Sequence, residues 1–143
     1  MDELPPTDDL HAFFFEAARR GDAEAIAALI RAGLDVEATD PRGFSALVLA
    51  SYHGHEAATR LLLAAGAAPD GTGKGNTALM GVAFKGYAAL ATMLLDAGAE
   101  VNRANEAGQT ALTFAALGGK EAVAALLRAH GAEAATGGDT SGL

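Results

Sequence analysis

The residues that most strongly suggest a chemical function lie in a glycine-rich stretch, DGTGKGNT, between Asp70 and Thr77. Glycine-rich loops bind phosphate when Gly-Lys is followed directly by Ser or Thr at a turn from a strand to a helix. Here Gly75 follows Lys74, and no strand pattern precedes the loop. The alternating glycines also lack the spacing of a dinucleotide-binding turn. We therefore interpret this stretch as a connecting loop.

Histidines and a serine are the other candidates for chemistry. His53 and His55 flank Gly54, but a tetrahedral metal site needs three or four converging ligands, and no third candidate lies nearby in the sequence. Ser45 directly precedes an apolar stretch, where its hydroxyl is better used to cap a helix than as a nucleophile. Cysteine is absent, which excludes disulfides and thiolate catalysis. We predict no catalytic residue, no cofactor and no metal, and hence no enzyme.

Composition and charge restrict the partners of the chain. Half of its 143 residues are hydrophobic and 20% are charged, which is typical of a folded protein. The net charge of −8 disfavours binding to nucleic acid or anionic lipid. The acidic start, MDELPPTDDL, does not resemble a secretion signal, and the apolar stretch from Tyr87 to Leu95 is shorter than the roughly 20 residues of a membrane span. We expect a soluble, cytoplasmic protein.

An internal repeat determines the predicted fold. The phrases GFSAL, GNTAL and GQTAL begin at Gly43, Gly75 and Gly108, with steps of 32 and 33 residues. Two more glycine series keep the same phase: Gly21, Gly54, Gly86 and Gly119, and Gly33, Gly66, Gly98 and Gly131. A fixed period of this length indicates a stack of small structural units that bury their apolar faces against one another.

Each repeat predicts two helices. A hydroxyl residue (Ser45, Thr77 or Thr110) precedes a short apolar helix that ends at a glycine, and a second helix follows and ends at the next glycine. We expect the core to consist of one series of leucines: Leu47, Leu62, Leu79, Leu94, Leu112 and Leu127. Phe13, Phe14 and Phe15 cannot all face the same way, so we place Phe14 in the core and at least one of the others near the surface.

These units resemble ankyrin repeats. The helix-opening phrase of that family appears as SALV, TALM and TALT, its Gly-His turn as Gly54-His55, and its closing phrase as LLDAGAEVN. The chain departs from the family where alanine replaces a proline and where Val48, Met80 and Thr113 replace a histidine that ties neighbouring repeats together. The resemblance implies an all-α ankyrin-repeat solenoid of four stacked helix-turn-helix units with long β-turn-like loops.

The resemblance also predicts the organisation of the chain. An acidic N-terminal extension covers residues 1–9, and a loose C-terminal tail covers residues 134–143. Between them, residues 10–133 form the ankyrin-repeat domain. Its repeats are predicted at about 10–39, 40–71, 72–104 and 105–133.

For function, the resemblance implies a non-catalytic module that binds another protein through a concave face made of loop tips and first helices. Carried over to this sequence, that face comprises Arg19 and Arg20 from the first repeat, Pro41, Arg42, Phe44, Tyr52 and His53 from the second, Lys74, Asn76, Phe84 and Lys85 from the third, and Glu106, Gln109 and Leu117 from the fourth. Basic and aromatic residues predominate on an otherwise acidic protein. This segregation favours a partner with an acidic surface or segment.

Three alternatives remain at this point. The small size and alanine-rich composition resemble single-domain bacterial ankyrin proteins, among which an immunity-type or regulatory inhibitor of a toxin or enzyme is one role and an adaptor another. A small-molecule-binding or catalytic protein using the loops between repeats is a second class. A nucleic-acid reader is a third, and the net charge of −8 opposes it. We expect a monomer.

Overall fold

The fold is described from a computed structural model that covers residues 7–71 and 75–133. Eight helices lie in these residues: α1 (Thr7–Arg20), α2 (Ala23–Arg31), α3 (Ala46–Tyr52), α4 (Glu56–Ala64), α5 (Ala78–Lys85), α6 (Ala88–Asp96), α7 (Ala111–Leu117) and α8 (Glu121–Ala129). The predicted all-α class is confirmed. Helix α1 begins at Thr7, inside the stretch predicted as an extension, and the predicted tail at 134–143 lies outside the described residues.

Hydroxyl caps begin three of the first helices of the repeats, as predicted. The side chain of Ser45 accepts a hydrogen bond from the Val48 amide at 3.3 Å, and Thr77 and Thr110 do the same one and two repeats later. At the start of α7, the Thr113 hydroxyl accepts in return from the Thr110 amide at 3.1 Å. Two donors that the helix leaves unpaired are satisfied in this way. Thr113, which replaces the family's histidine, therefore completes a capping box.

Glycines end the helices at the predicted positions. Gly86 follows α5 with φ of 81°, and Gly98 lies two residues after α6 with φ of 105°. Residues with a Cβ atom rarely adopt such positive φ values, so glycine is the residue type suited to these ends. The short turns that result bring each second helix back against the first.

The chain divides into two compact units, which are described separately. The N-terminal unit, up to Ala68, contains α1 to α4, and α1 packs on α2 and α3 while α4 packs on α2 and α3. Its core contains the fully buried side chains of Phe14, Ile26 and Leu62. Phe14 and Phe15 are buried and Phe13 is 59% exposed, which confirms the assignment of Phe14 to the core.

The C-terminal unit, from Pro69, repeats this arrangement with α5 to α8. The leucines expected in its core are buried at Leu79, Leu94 and Leu127. Leu112 is only half-buried, which corrects the prediction that it belongs to the core. In the described part of the chain no repeat follows α8, so one side of α7 has no further helix packed against it.

Loop side chains connect successive repeats within each unit. Three residues, each four positions after a helix-ending glycine, accept a hydrogen bond from a backbone amide in the next loop: Glu37 from Ala68 (2.7 Å), Asp70 from Glu100 (3.0 Å) and Asn102 from Glu133 (2.9 Å). The missing histidines had put the hydrogen bonds between repeats in doubt. These carboxylate and amide oxygens supply such bonds by another route.

Candidate functional site

A hydrogen-bonded turn fixes the loop tip before α3. One carboxylate oxygen of Asp40 accepts from the backbone amides of Arg42 and Phe44, each at 2.9 Å, while the Asp40 amide donates to the Phe44 carbonyl at 2.8 Å. Gly43 has φ of 88°, which closes the turn. The Asp40 side chain is only 2% exposed. The backbone of residues 40–44 is therefore held by a buried anchor.

Arg42 and Phe44 form a pair at this loop tip. The guanidinium carbon of Arg42 lies 5.6 Å from the centroid of the Phe44 ring, within the range of a cation–π contact. Arg42 is exposed, whereas Phe44 is half-buried. Phe44, which the resemblance places on the binding face, is therefore only partly accessible, with the Arg42 guanidinium beside its ring.

Carboxylates accompany the two arginines at the end of α1. Arg19 binds Glu16 at 3.2 Å and the buried Asp40 at 3.4 Å, and Arg20 lies 3.7 Å from Asp22. Residue types alone had indicated a surface with a single acidic neighbour. The net positive charge around these two arginines is therefore smaller than their residue types suggest, because three carboxylates lie against them.

Three aromatic rings follow one another at the end of α3. The Tyr52 and His53 rings meet edge to face with centroids 5.6 Å apart, and the His53 and His55 rings stack at 6.4 Å. His55 has a structural partner: its Nε2–H donates to the Arg19 carbonyl at 2.7 Å, which requires the proton on Nε2 because a carbonyl only accepts. Within residues 7–71 and 75–133, no cluster of three His, Cys, Asp or Glu side chains is placed to hold a metal ion.

In the C-terminal unit, an exposed apolar pair lies at the ends of α5 and α7. Phe84 is 41% exposed and Leu117 is 63% exposed. The two helix ends are close together, because a Cβ atom at Gly118 would lie 2.5 Å from the Phe84 carbonyl oxygen. Lys85 is half-buried, with its Nζ 5.8 Å from the centroid of the Tyr87 ring.

The loop before α7 repeats the turn seen at Asp40. Asn105 accepts from the amides of Ala107 and Gln109 at 2.9 Å each, and its own side-chain amide donates to Gln109 at 3.0 Å and to Asn76 at 2.7 Å. Gln109 and Asn76, both predicted site residues, are therefore joined in one polar network. Lys74, another predicted site residue, lies outside the described residues.

Sequence reasoning missed Asp40 and Asn105, although a signal was present. Both residues begin the same pattern: an Asp or Asn, then two residues, a glycine, one more residue and a helix-capping Ser or Thr. Asp and Asn at such a position characteristically bind the backbone two and four residues later. These two residues determine where the loop tips lie.

One repeat position is apolar and exposed in both units. Tyr52 on α3 is 37% exposed, and the residues one and two repeats later are Phe84 and Leu117. In the first repeat the same position holds Arg19. This position is the last residue of α3 and α7 and the penultimate residue of α5.

A shallow groove lies elsewhere in the N-terminal unit, between α2 and α4. It has a volume of about 450 Å³ and an apolar lining of four alanines and a leucine, with Glu24 and Arg60 alongside. None of the predicted site residues lines it. In the described part of the chain, no helix is both long enough and apolar enough to cross a membrane.

Comparison with protein families agrees with the geometry. A family model described as "Ankyrin repeats (3 copies)" matches residues 14–105, which is more than half of the chain. The chain belongs to the ankyrin-repeat family. A search of curated proteins found no match. Ankyrin repeats are generally protein–protein interaction modules and are typically non-catalytic.

Proposed function

We propose that this protein is a non-catalytic module that binds a partner protein through its loop tips and first helices, the face that is concave in ankyrin proteins. One observation carries the proposal. Among the described residues, four large apolar side chains are exposed, and three of them (Tyr52, Phe84 and Leu117) occupy the same position in successive repeats. Because these side chains keep contact with water, packing in the core does not fully account for apolar residues there.

Exposed aromatic and leucine side chains at a recurring position are typical of interaction surfaces. Each leaves part of its apolar surface in water, and a partner that covers it gains part of the roughly 1.5–3 kcal/mol that full burial of such a side chain provides. Aromatic residues and arginine are also the types that most often dominate binding energy in protein interfaces. Tyr52 and Phe84 fit this description, and Arg42 lies in the same unit as Tyr52.

The proposed surface keeps the residues predicted from the sequence, grouped by unit. The N-terminal unit contributes Arg19, Arg20, Arg42, Phe44, Tyr52 and His53, and the C-terminal unit contributes Asn76, Phe84, Lys85, Gln109 and Leu117, together with Lys74 outside the described residues. We propose a partner with an acidic surface or segment. The exposed Arg42 supports this choice more strongly than Arg19 and Arg20, which already contact carboxylates.

The proposal places the protein in the cytoplasm as a monomeric adaptor or inhibitor without a cofactor. The absence of cysteine agrees with a reducing compartment. A small-molecule or catalytic function gains no support, because the α2–α4 groove is lined by alanine and leucine with only Glu24 and Arg60 as ionisable groups.

Partner capture followed by a purified binding assay tests this function. The tagged protein is used to retrieve partners from an extract of its native cells, and each candidate is then purified and titrated by calorimetry. We expect Phe84→Ala and Leu117→Ala each to weaken binding at least about tenfold, because hot-spot residues commonly contribute this much or more.

Phe13→Ala is the matched control. Phe13 is the fourth exposed apolar residue, on α1, and it lies outside the recurring position. We expect this variant to bind like the wild type, and all three variants to keep the wild-type circular dichroism spectrum. Equal affinities for wild type, Phe84→Ala and Leu117→Ala would refute the proposed surface.

A further inference from the structure

We infer that Arg42 and Phe44 together form a receptor for a carboxylate group of the partner. This inference rests on the proposed function for the identity of the ligand as part of a protein. The carboxylate belongs to an aspartate or glutamate side chain or to a chain terminus. The edge of the Arg42 guanidinium binds the carboxylate, while the Phe44 ring holds the guanidinium in place.

The Arg42 guanidinium has donors available for such a ligand. Arg42 is exposed, and in the part of the chain that the structure describes no carboxylate lies within 4.0 Å of its guanidinium. Arg19 and Arg20, by contrast, each have a carboxylate partner. A guanidinium offers five N–H donors in a planar fork that matches the two oxygens of a carboxylate.

The receptor is organised before a ligand binds. The centroid of the Phe44 ring lies 5.6 Å from the guanidinium carbon, and this cation–π contact restricts the long Arg42 side chain. The N–H groups at the edge of the guanidinium stay available for hydrogen bonds. The backbone on both sides is fixed by two hydrogen bonds to Asp40, whose carboxylate is buried and also contacts Arg19. Such restriction lowers the entropy that binding would otherwise cost.

The second loop of this type shows that the fold does not need the pair. The Asn105 turn has the same backbone hydrogen bonds, yet Ala107 and Gln109 take the places of Arg42 and Phe44. The turn therefore forms without an arginine or an aromatic ring. Since neither side chain is required for the loop conformation, their combination at 42 and 44 points to a ligand.

A nuclear magnetic resonance titration with defined peptides tests the inference. The first probe is acetyl-Gly-Glu-Glu-Gly-amide, the second is its Gln-Gln counterpart, and the third is acetyl-tetraglycine with a free carboxylate terminus. At low salt, we expect the Glu peptide to shift the Arg42 Nε–Hε signal and the Gly43 and Phe44 amides, with a Kd on the order of 10 mM because exposed ion pairs are weak. The third probe separates a terminal from a side-chain carboxylate.

Substitutions separate a fixed receptor from simple charge attraction. Arg42→Lys keeps the charge but loses the planar fork, and Phe44→Leu keeps an apolar residue but removes the ring. We expect each to weaken binding of the Glu peptide about fivefold. Ala107→Arg combined with Gln109→Phe transplants the pair into the Asn105 loop, and we expect new shifts there on addition of the Glu peptide.

Three results would overturn the inference: an equal response to the Gln peptide, unchanged affinity in Arg42→Lys, or equal shifts at all arginine Nε–Hε signals. Loss of the fold is excluded for each variant by comparison of its amide spectrum with that of the wild type. If the peptides fail while Phe84→Ala still weakens partner binding, the proposed function stands and the receptor does not. If the peptides bind while Phe84→Ala and Leu117→Ala have no effect, the receptor stands and the apolar surface does not.

Discussion

Asp70 differs from the other loop residues that join successive repeats. Burial raises the pKa of its carboxyl, although the hydrogen bond from the Glu100 amide and the positive charge of Arg103 act in the opposite direction. Asn102 performs the corresponding task without a charge, accepting from the amide of Glu133 at 2.9 Å. The ionised form of Asp70 is therefore disfavoured by folding, while its role as an acceptor is kept.

Replacement of Asp70 by asparagine should change how stability depends on pH. With a folded-state pKa above 3.8, the Asp70 contribution to stability is fully present below pH 3.8 and is lost as the pH rises through the folded-state pKa. Asp70→Asn has no such loss. We expect the free energy of unfolding of the variant, relative to wild type, to increase from pH 3.5 to pH 7 in urea titrations. A relative decrease over this range would contradict the raised pKa.

Which residues form the loop tips could be predicted from the sequence only in part. Caps such as Ser45 bind a backbone amide three residues away, so local sequence is sufficient to identify them. The contact between Arg19 and Asp40 joins residues 21 positions apart, so local sequence does not reveal it. Residue types predicted a basic and aromatic surface but not the carboxylates that lie against Arg19 and Arg20.

Helix α6 shows how one element depends on the repeat register. Its buried residues are Leu90, Ala91 and Leu94, which lie on one side of the helix at positions i, i+1 and i+4. Leu94 is completely buried. Removal of its side chain would leave a cavity in the C-terminal unit, since interior packing leaves few voids and relaxes only partly.

We expect Leu94→Ala to lower the free energy of unfolding by about 2–5 kcal/mol, the range typical of buried leucines. The measurement is denaturant unfolding followed by circular dichroism. Leu117→Ala is the control, because Leu117 is mostly exposed and should change stability by less than about 0.5 kcal/mol. A loss below about 1 kcal/mol for Leu94→Ala would mean that the assigned register is wrong.

The elements themselves followed from the period of the sequence. Capping hydroxyls, apolar spacing and glycines recur together, and the three signals are sufficient to place the helices within a few residues. The half-burial of Leu112 was not predictable in this way. A repeat pattern treats every unit as if it had neighbours on both sides, whereas no described repeat follows the one that contains α7 and α8.

At the scale of the whole molecule, an acidic chain has few basic residues with which to attract an acidic partner. Eighteen Asp and Glu residues oppose ten Lys and Arg residues. The net field therefore repels an acidic partner, and attraction depends on where the positive charges lie. In the described part of the chain, the lysines and arginines of the proposed surface are Arg19 and Arg20 on α1 and, outside that helix, Arg42 and Lys85.

Charge reversal at these two residues, one at a time, should slow partner association. In Arg42→Glu and Lys85→Glu we expect the association rate constant at low salt to fall several-fold, because electrostatic attraction acts mainly on diffusional encounter. Near 1 M salt the Debye length is about 3 Å, so the variants should approach the wild-type rate. Melting temperatures should stay within about 2 °C of wild type, as for other surface substitutions.

Arg60→Glu provides the matched control, because it makes the same change in net charge on α4, away from the proposed surface. If the local field attracts the partner, Arg60→Glu should reduce the association rate constant much less than Arg42→Glu does. Stopped-flow measurements from 20 mM to 1 M salt separate the two cases. Equal effects of Arg60→Glu and Arg42→Glu would show that total charge, and not its placement beside the apolar residues, governs association.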